Sequence, residues 1–466
     1  MVEEETETKE QAHSKFIDQF DNQHYLADEL ARGGQGAVYR TQDADLAIKM
    51  AFGYEEDPKA LEKLQNKFMH IRQLPIPKGT PISLPLAILR GAPGYVMRLL
   101  NEMVPLSKLQ MSGADKVALR KAPMPSWLKA CADDPKTNDF AYVLLHYSMT
   151  GSTSRRFYVL YKTASILAQL HQAGLVYGDI SLNNVFVGKQ DTGNRSPVWL
   201  IDADNLRFEM EHGGSTVYTP KLGAPEIVQV DANGHSLDAS RPRTDCWAFA
   251  VMAFQLLSTL HPFIGRRVLE DNDDSGWDSD DGAADESMQI DEQAYAGKLP
   301  YIDDPDDDSN SGATILSVPR QIIFNEEVRM LFNEMFGPGR TDPWRRPVMM
   351  FFAKAFARAH DTMICCPECG MSYYVEQLDK CPYCDAKVPL VAKLIGPYGC
   401  RYEVFSESDA PVPVVVPRRL FEPFSLATSD DESCNVAINW DKKRIEPLRG
   451  ESIPTNLNAE FIGGAE

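Results

Sequence analysis

A short polar segment in the middle of the chain, Tyr177-Gly-Asp-Ile-Ser-Leu-Asn-Asn184, restricts the possible folds most strongly. It follows residues with the apolar spacing of a helix, and strand-like residues ending at Asp202 come after it. An aspartate, an asparagine five residues later and a second aspartate after a strand supply a base for a hydroxyl and two oxygen ligands for Mg²⁺. Two unrelated turns rich in Asp and Asn would not explain this order. The order favours one site built from Asp179, Asn184 and Asp202.

A glycine-rich segment near the N-terminus has residues suited to a phosphate chain. In Leu30-Ala-Arg-Gly-Gly-Gln-Gly-Ala-Val-Tyr39, small residues stand where a backbone could close over phosphates, and Val38 could cover an adenine ring. Ten residues on, the strand-like Leu46-Ala-Ile-Lys49 ends in a lysine whose ammonium can hold phosphates beneath such a loop. Alone, each signal is weak, since a lysine that ends a strand is usually solvated. The downstream aspartates give both signals more weight.

With these motifs in order, residues 24–360 resemble the eukaryotic-type protein kinases, including those of bacteria. The resemblance implies an α+β, bilobal kinase fold over residues 21–360, with a β-rich N-lobe to about residue 100 and a larger helical C-lobe. It also implies Asp179 as catalytic base, Asn184 and Asp202 as ligands of Mg²⁺ or Mn²⁺, and Lys49 as the phosphate-binding lysine.

The resemblance assigns an ATP pocket as well, with Met97 as gatekeeper, residues 98–100 as hinge and Phe186 as floor. The residues assigned to this pocket are Ala31, Gly33, Gly34, Gly36, Val38, Ala47, Lys49, Met97, Leu99 and Phe186. Asp57 and Pro58 predict the start of a helix whose buried face carries Leu61, Leu64, Phe68 and Ile71. Glu62 on this helix is the best candidate for the ion-pair partner of Lys49, with Glu55 and Glu56 as alternatives.

Signatures of the helical lobe follow at plausible spacing: Gly223-Ala-Pro-Glu226, Asp245-Cys-Trp247 and Arg346. The resemblance implies a buried ion pair between Glu226 and Arg346, and it implies that Asp245 braces the backbone of the catalytic loop. Both are structural roles.

The chain departs from the family pattern at four places. Ala31 replaces the first loop glycine, Tyr177-Gly178 replaces His-Arg, Ser181 replaces a lysine, and Asp202-Ala-Asp204 replaces Asp-Phe-Gly. None of these changes removes the base or a metal ligand. Because no arginine precedes Asp179, we expect activity without a phosphorylated activation loop.

The resemblance predicts a serine/threonine protein kinase that transfers the γ-phosphate of Mg-ATP. A glycine before Asp179 and the Ile-Asp-x-Asp pattern also resemble small-molecule kinases of the aminoglycoside and choline type. The glycine-rich loop, Glu226 in its Ala-Pro-Glu segment and Arg346 favour a protein substrate. A catalytically inactive scaffold is a third reading, which the retention of the site residues makes less favoured.

Two pairs of cysteines, Cys366-Pro-Glu-Cys369 and Cys381-Pro-Tyr-Cys384, have the spacing of a zinc ribbon at about residues 361–390. Four thiolates leave no open coordination position, so a structural Zn²⁺ is predicted, although iron can occupy such a site. Cys365 is adjacent, but Cys366 makes the matching pair.

Composition narrows the partners and the compartment. With 67 acids against 47 bases the net charge is -20, which opposes binding to nucleic acids or anionic membranes and favours protein partners. Nine cysteines without a secretion signal predict a reducing, cytoplasmic location.

Three further segments complete the predicted organisation. Residues 1–20 read as a disordered acidic tail, and about 270–312 as a solvated acidic insertion that contains the possible phosphorylation sites Ser275 and Ser279. Residues 391–466 alternate β-type runs with prolines, which predicts a small β-rich module.

Overall fold

The computed structural model describes residues 14–54, 56–189, 196–210, 219–228, 241–274, 290–376, 378–406, 412–423, 432–448 and 452–463. The chain divides into two compact units. The first comprises Met1–Pro75, Ile82–Met103 and Leu200–Arg207. The second comprises Ile76–Pro81, Val104–Trp199 and Phe208–Glu466. In the described ranges no helix combines the length and the apolar character needed to span a membrane.

Over its described residues, the first unit is an antiparallel sheet of six strands with one α-helix. The sheet has the order β1-β2-β3-β4-β6-β5. Its strands are β1 (Lys15–Ile17), β2 (Gln23–Arg32), β3 (Gly36–Thr41), β4 (Leu46–Ala51), β5 (Ala87–Ile88) and β6 (Gly94–Arg98), and the helix is α1 (Pro58–Gln73). Asp57 caps α1, because its side chain accepts hydrogen bonds from the amides of residues 59 and 60. The predicted start of this helix is therefore confirmed.

The two faces of this sheet carry different residues, because side chains alternate along a strand. Ile48 lies opposite Val96 and belongs to a small apolar core with Leu89. On the other face Ala47 lies opposite Met97, and Lys49 lies opposite both Val38 and Tyr95; these residues are cross-strand neighbours.

The N-terminal boundary differs from the sequence prediction. Lys15–Ile17 forms β1 and pairs with β2, whereas a disordered tail was expected up to residue 20. Asp18 stabilises the turn between β1 and β2. Its carboxylate accepts hydrogen bonds from the amides of Phe20 and Asn22 and lies 3.0 Å from Nε2 of His24. Burial opposes ionisation of this carboxyl, but the hydrogen bonds outweigh burial and lower the pKa of Asp18 to about 2. Residues 1–13 lie outside the described ranges.

Helices dominate the second unit. Its helices are α2 (Gly113–Leu119), α3 (Lys129–Asp133), α4 (Asn138–Met149), α5 (Ser152–Gln172), α6 (Pro225–Val228), α7 (Pro242–Ser258), α8 (Arg266–Asp274), α9 (Arg320–Ile323), α10 (Glu326–Phe336), α11 (Pro338–Thr341) and α12 (Met349–Asp361). Helix α5 is buried on nearly every side and packs against α7 and α12. Aromatic rings from α7, α10 and α12 pack against one another, namely Phe249, Phe254, Phe332, Phe336, Phe352 and Phe356.

The later part of the predicted acidic insertion is packed rather than solvated. Tyr301 is buried, and its ring lies 5.6 Å from that of Phe254 and 5.2 Å from that of Phe336. Asp303 pairs with the buried Arg320 at 2.6 Å. The average composition of the segment is acidic, so it did not indicate that single residues such as Tyr301 pack into the core. Residues 275–289, with Ser275 and Ser279, lie outside the described ranges.

Short strands complete the fold. They are β7 (Met103–Pro105), β8 (Leu175–Val176), β9 (Val185–Gly188), β10 (Val198–Leu200), β11 (Arg207–Phe208), β12 (Met363–Cys365), β13 (Ser372–Tyr374), β14 (Val391–Ile395), β15 (Arg401–Phe405), β16 (Val412–Pro417), β17 (Glu432–Asn439), β18 (Arg444–Pro447) and β19 (Asn458–Ile462). The C-terminal residues form two three-stranded sheets, β15-β14-β19 and β16-β17-β18, around one core that includes Leu394, Val416 and Trp440. Arg419 ties this β-rich part to α12 through two bonds to the Asp361 carboxylate.

The predicted buried pair of Glu226 and Arg346 is confirmed. Both terminal nitrogens of Arg346 lie 2.7 Å from the Glu226 carboxylate, and its guanidinium stacks 4.9 Å from the Trp247 ring. We expect Glu226→Gln to lower the free energy of unfolding by about 3 kcal/mol or more, because it leaves a buried charge uncompensated. Glu334→Gln, in the exposed pair with Arg345, is the matched control and should cost less than about 1 kcal/mol. Denaturant unfolding measures both losses, and equal small losses would contradict the prediction.

Candidate active site and cysteine cluster

In the first unit, Lys49 on β4 lies between two aspartates. Its Nζ is 2.6 Å from Oδ1 of Asp202 and 2.8 Å from Oδ2 of Asp204. Burial alone would lower the pKa of Lys49, but the charges of Asp204 and then Asp202 outweigh it and raise that pKa. The ammonium is therefore held charged and in place.

The turn that carries both aspartates has an unusual backbone. Asp202 has φ 58° and ψ 61°, in the left-handed region, and a 3₁₀ turn from Ala203 to Asn205 follows. A residue with a Cβ adopts this conformation only at a cost, so contacts must hold it there. The two bonds to Lys49 supply such contacts.

The structure does not bring Glu62 to Lys49. Glu62 lies on α1 and is exposed, Glu56 precedes the helix and is also exposed, and Glu55 lies outside the described residues. The inward polar group of α1 is instead Gln65, whose amide donates to the carbonyls of Leu89 and Ala92. The assignment of Glu62 as the partner of the lysine is thus replaced by Asp202 and Asp204. Helical periodicity could not show this, because the partner lies far along the chain.

The residues assigned to the ATP pocket lie in both units. Val38, Ala47, Lys49 and Met97 share one face of the first sheet, and Ala47 is fully buried. Ala31 pairs with Val38 on the neighbouring strand, and the amide of Leu99 donates to the carbonyl of residue 45. Phe186 belongs to β9 and is half-buried in the second unit.

The three loop glycines differ in their surroundings. Gly33 and Gly34 have open space where a Cβ would point, whereas a Cβ at Gly36 would meet the carbonyl oxygen of Met50 at 2.2 Å. Gly36 is therefore required by the close approach of β3 and β4. Gly33 and Gly34 leave the turn uncovered, which suits a ligand that approaches the backbone.

In the second unit, Asp179 is surrounded by hydrogen-bond donors. The Asn184 side-chain amide donates to the Asp179 carbonyl at 2.8 Å and to its Oδ2 at 3.2 Å. The Thr219 hydroxyl donates to Oδ1 at 3.0 Å. Sequence reasoning missed Thr219; the available signal was a hydroxyl residue seven positions before Glu226.

Asp245 braces the backbone of the loop that leads to Asp179, as predicted. Its carboxylate accepts hydrogen bonds from the amides of Tyr177 at 2.8 Å and Gly178 at 2.9 Å, and from Nε2 of His171 at 3.0 Å. Gly178 has φ 83°, a conformation that strongly favours glycine over the arginine of the family pattern. The backbone of this loop therefore accounts for the departure at residue 178.

The buried pair of His171 and Asp245 predicts a pH dependence of stability. Burial disfavours the charged imidazole, but the hydrogen bond to Asp245 outweighs burial and raises the pKa of His171 to about 9. Because this folded-state pKa exceeds the ordinary value of about 6.5, the stabilisation is complete below pH 6.5 and is lost as pH rises through 9. We expect a loss of about 3 kcal/mol over this window. Melting curves of wild type and His171→Gln test it, since the variant should lack this slope; parallel profiles would contradict it.

Four cysteines of the second unit come together in space. Cys366, Cys369, Cys381 and Cys384 place their sulfur atoms within 4.8 Å of one another. The Sγ atoms of Cys366 and Cys384 are 3.6 Å apart, and those of Cys369 and Cys381 are 3.7 Å apart. Sulfurs bound tetrahedrally to zinc at about 2.3 Å would be about 3.8 Å apart, so the cluster fits this ion.

The two cysteine turns have the same backbone hydrogen bonds. The amide of Cys366 donates to the carbonyl five residues on, and the amide of Cys381 does the same. The residue after each pair, Gly370 or Asp385, has positive φ, and its amide donates back to the first cysteine's carbonyl. Such paired turns present all four thiols to one point.

Neighbouring groups also suit a metal. Tyr373 has a buried hydroxyl that lacks a hydrogen-bond partner in the described parts of the chain. Burial and then the nearby cysteine thiolates raise its pKa, so the hydroxyl stays protonated. Cys365 lies outside the cluster, and its thiol contacts the Gly370 carbonyl. The Ser148 hydroxyl of α4 donates to the Cys369 carbonyl at 2.6 Å, which joins the cluster to the helices.

Comparisons with known proteins give partial matches. No protein-family model matches the chain. Over 124 residues, 25% of the chain, it is 32% identical to smooth-muscle myosin light chain kinase of Gallus gallus. Over 111 residues, 23% of the chain, it is 32% identical to protein kinase C-like 1 of Candida albicans. These matches cover 6% and 9% of the two relatives, so the chain spans less than a tenth of their length.

A solved structure of a ROP18 kinase domain in complex with AMP-PNP and sucrose covers 75% of the chain and 84% of its own, with TM-score 0.43 and 16% identity. One conclusion follows from three observations: the order of the lysine, aspartate and asparagine residues, the confirmed contacts in the second unit, and the sequence identity to two protein kinases. The matched quarter of the chain is similar to protein kinases, and the chain has an α+β kinase fold, followed by a four-cysteine cluster and small β-sheets.

Proposed function

We propose that the chain is an ATP-dependent serine/threonine protein kinase. One observation carries the proposal: the Asp179 carboxylate accepts a hydrogen bond from an aliphatic hydroxyl, that of Thr219, at 3.0 Å. A catalytic base must lie within such a distance of the hydroxyl that it deprotonates. A substrate serine or threonine would place its hydroxyl on the same carboxylate.

The remaining roles follow from residue chemistry. Asn184 and Asp202 offer the hard oxygen ligands that hold Mg²⁺, which would neutralise charge on the phosphates. Lys49 would hold the phosphates, and Val38, Ala47 and Met97 would line the adenine site. Asn184 also orients Asp179 through its amide. Catalysis would consist mainly of positioning and charge stabilisation.

The hydroxyl that reaches Asp179 supports serine or threonine over tyrosine. Thr219 places its hydroxyl only one carbon from Cα, so the carboxylate lies close to a neighbouring backbone. A tyrosine hydroxyl stands several ångströms further out and would need a deeper recess. The substrate that we propose is a protein segment that presents a short hydroxyl side chain.

We further propose that the four cysteines hold a structural Zn²⁺ and that the C-terminal modules recruit a protein partner. The spacing of the four sulfur atoms supports the metal. The net charge of -20 supports a protein rather than a nucleic acid as partner.

Labelled-ATP transfer tests the proposal. The purified full chain is incubated with Mg-[γ-³²P]ATP and matched peptides that carry a single serine, threonine or tyrosine, and phosphorylated sites are mapped by mass spectrometry. Label on serine or threonine is expected. Label only on small hydroxylated molecules would overturn the proposal in favour of a small-molecule kinase, and ATP binding without transfer would favour a scaffold.

A further inference from the structure

We propose that Asp204, held in place by Tyr95, is the residue that positions Lys49 for the nucleotide phosphates. The inference rests on the proposed kinase function and adds a positioning residue to it. Lys49, Tyr95 and Asp204 all belong to the first unit.

Asp204 uses both of its carboxylate oxygens. Oδ2 lies 2.8 Å from Nζ of Lys49, and Oδ1 accepts a hydrogen bond from the Tyr95 hydroxyl at 2.9 Å. Two directional bonds on opposite oxygens fix the plane of the carboxylate. The Lys49 ammonium is therefore attached to a carboxylate that cannot easily rotate away.

Tyr95 is itself rigidly placed. It lies opposite Lys49 in the pairing of β4 with β6, and 1% of its surface is exposed. Its ring packs edge-on against Phe68 of α1, with ring centres 4.7 Å apart. Helix α1 therefore supports Lys49 indirectly, through the contact of Phe68 with Tyr95. Its carboxylate, Glu62, is exposed and does not take this role.

Asp202 cannot replace Asp204 in this task. Asp202 also pairs with Lys49, but it is the residue proposed to hold Mg²⁺. A carboxylate engaged with a divalent cation has less negative charge to offer an ammonium. Asp204 is then the partner that keeps Lys49 oriented. This assigns a role to the third residue of Asp202-Ala-Asp204, where the family pattern has glycine.

A nucleotide-free experiment tests the contact directly. An amine-reactive acylating reagent at about pH 9 modifies only unprotonated lysine, and isotope-coded mass spectrometry quantifies Lys49. Asp204→Asn should speed modification of Lys49 by about tenfold, because the amine loses the carboxylate that holds it at 2.8 Å and can reach the reagent more freely. Glu62→Gln should leave the rate unchanged, and Tyr95→Phe, which keeps the ring contact, should give a smaller increase. Equal rates in wild type and Asp204→Asn would overturn the proposal.

Nucleotide affinity provides the second readout. Calorimetry should show that Asp204→Asn lowers the affinity for Mg-ATP by about tenfold or more, and that Glu62→Gln binds Mg-ATP as tightly as wild type. Equal weakening by both variants would overturn the role of Asp204. Melting curves verify that each variant is folded. A wild-type chain that binds no ATP would overturn the proposed function instead, and the reactivity of Lys49 would still decide whether Asp204 is its partner.

Discussion

Asp179→Asn is expected to slow phosphoryl transfer by about 10²- to 10⁴-fold, the usual contribution of a positioned base. Asparagine matches aspartate in shape, so the contacts with Asn184 and Thr219 can largely persist while the negative charge is lost. The substrate hydroxyl would then be neither oriented by a charged acceptor nor relieved of its proton. Single-turnover transfer from labelled ATP at saturating peptide measures the effect.

Two measurements make this result specific. Mg-ATP affinity should be unchanged in Asp179→Asn, because Lys49 and Asp202 lie in the other unit and keep their ion pair. The melting temperature should also stay near that of wild type. A variant that transfers phosphate at the wild-type rate would remove Asp179 from the mechanism.

Removal of metal from the cysteine cluster should have the largest effect on stability. Structural zinc sites contribute on the order of 10 kcal/mol to the folding of the segment that they bind. Without the ion, four thiols held within 4.8 Å lose their common partner, and the contact of Ser148 with Cys369 should be lost with the turn. A strong chelator should therefore lower the melting temperature by about 10 °C or more, and elemental analysis of the untreated chain should find one metal ion.

The adjacent cysteine supplies a matched control. Cys384→Ser should release the metal and reproduce the effect of the chelator, whereas Cys365→Ser should retain one ion, because Cys365 lies outside the cluster. The analysis also separates zinc from iron. Full stability of Cys384→Ser, with no metal in wild type, would show that the four cysteines pack without an ion.

Features that depend on residue type and short spacing were readable from the sequence. Asp57 with Pro58 marked the start of a helix, and two cysteine turns with equal local hydrogen bonds followed their CxxC spacing. The β-rich C-terminal module followed from alternating β-type runs. For the helix start and the cysteine turns, the deciding interactions lie within a few residues of one another, so a local pattern reports them. For the β-rich module the pattern reports the strands, while their pairing, such as Val391 with Ile462, joins distant residues.

Residue patterns alone did not show several other features, whereas the distant pair of Glu226 and Arg346 was implied by the family resemblance. The strand at Lys15–Ile17 is stabilised by a turn around Asp18 inside an acidic segment, and Tyr301 finds its ring partners on α7 and α10. Composition favoured disorder in both places, because a few anchoring side chains hardly change an average. Thr219 could not be assigned from the sequence either, because only the folded backbone brings its hydroxyl to Asp179, 40 residues away.

The sequence by itself determined which chemical groups are present and in what order: a lysine after a glycine-rich turn, an aspartate and an asparagine five apart, a further aspartate and four cysteines. Only the tertiary structure decided how Lys49 is held. The choice of Asp204 over Glu62 depends on the register that sets Tyr95 opposite Lys49 and on the left-handed backbone at Asp202. Both arise from contacts between residues more than forty positions apart, which no local pattern specifies.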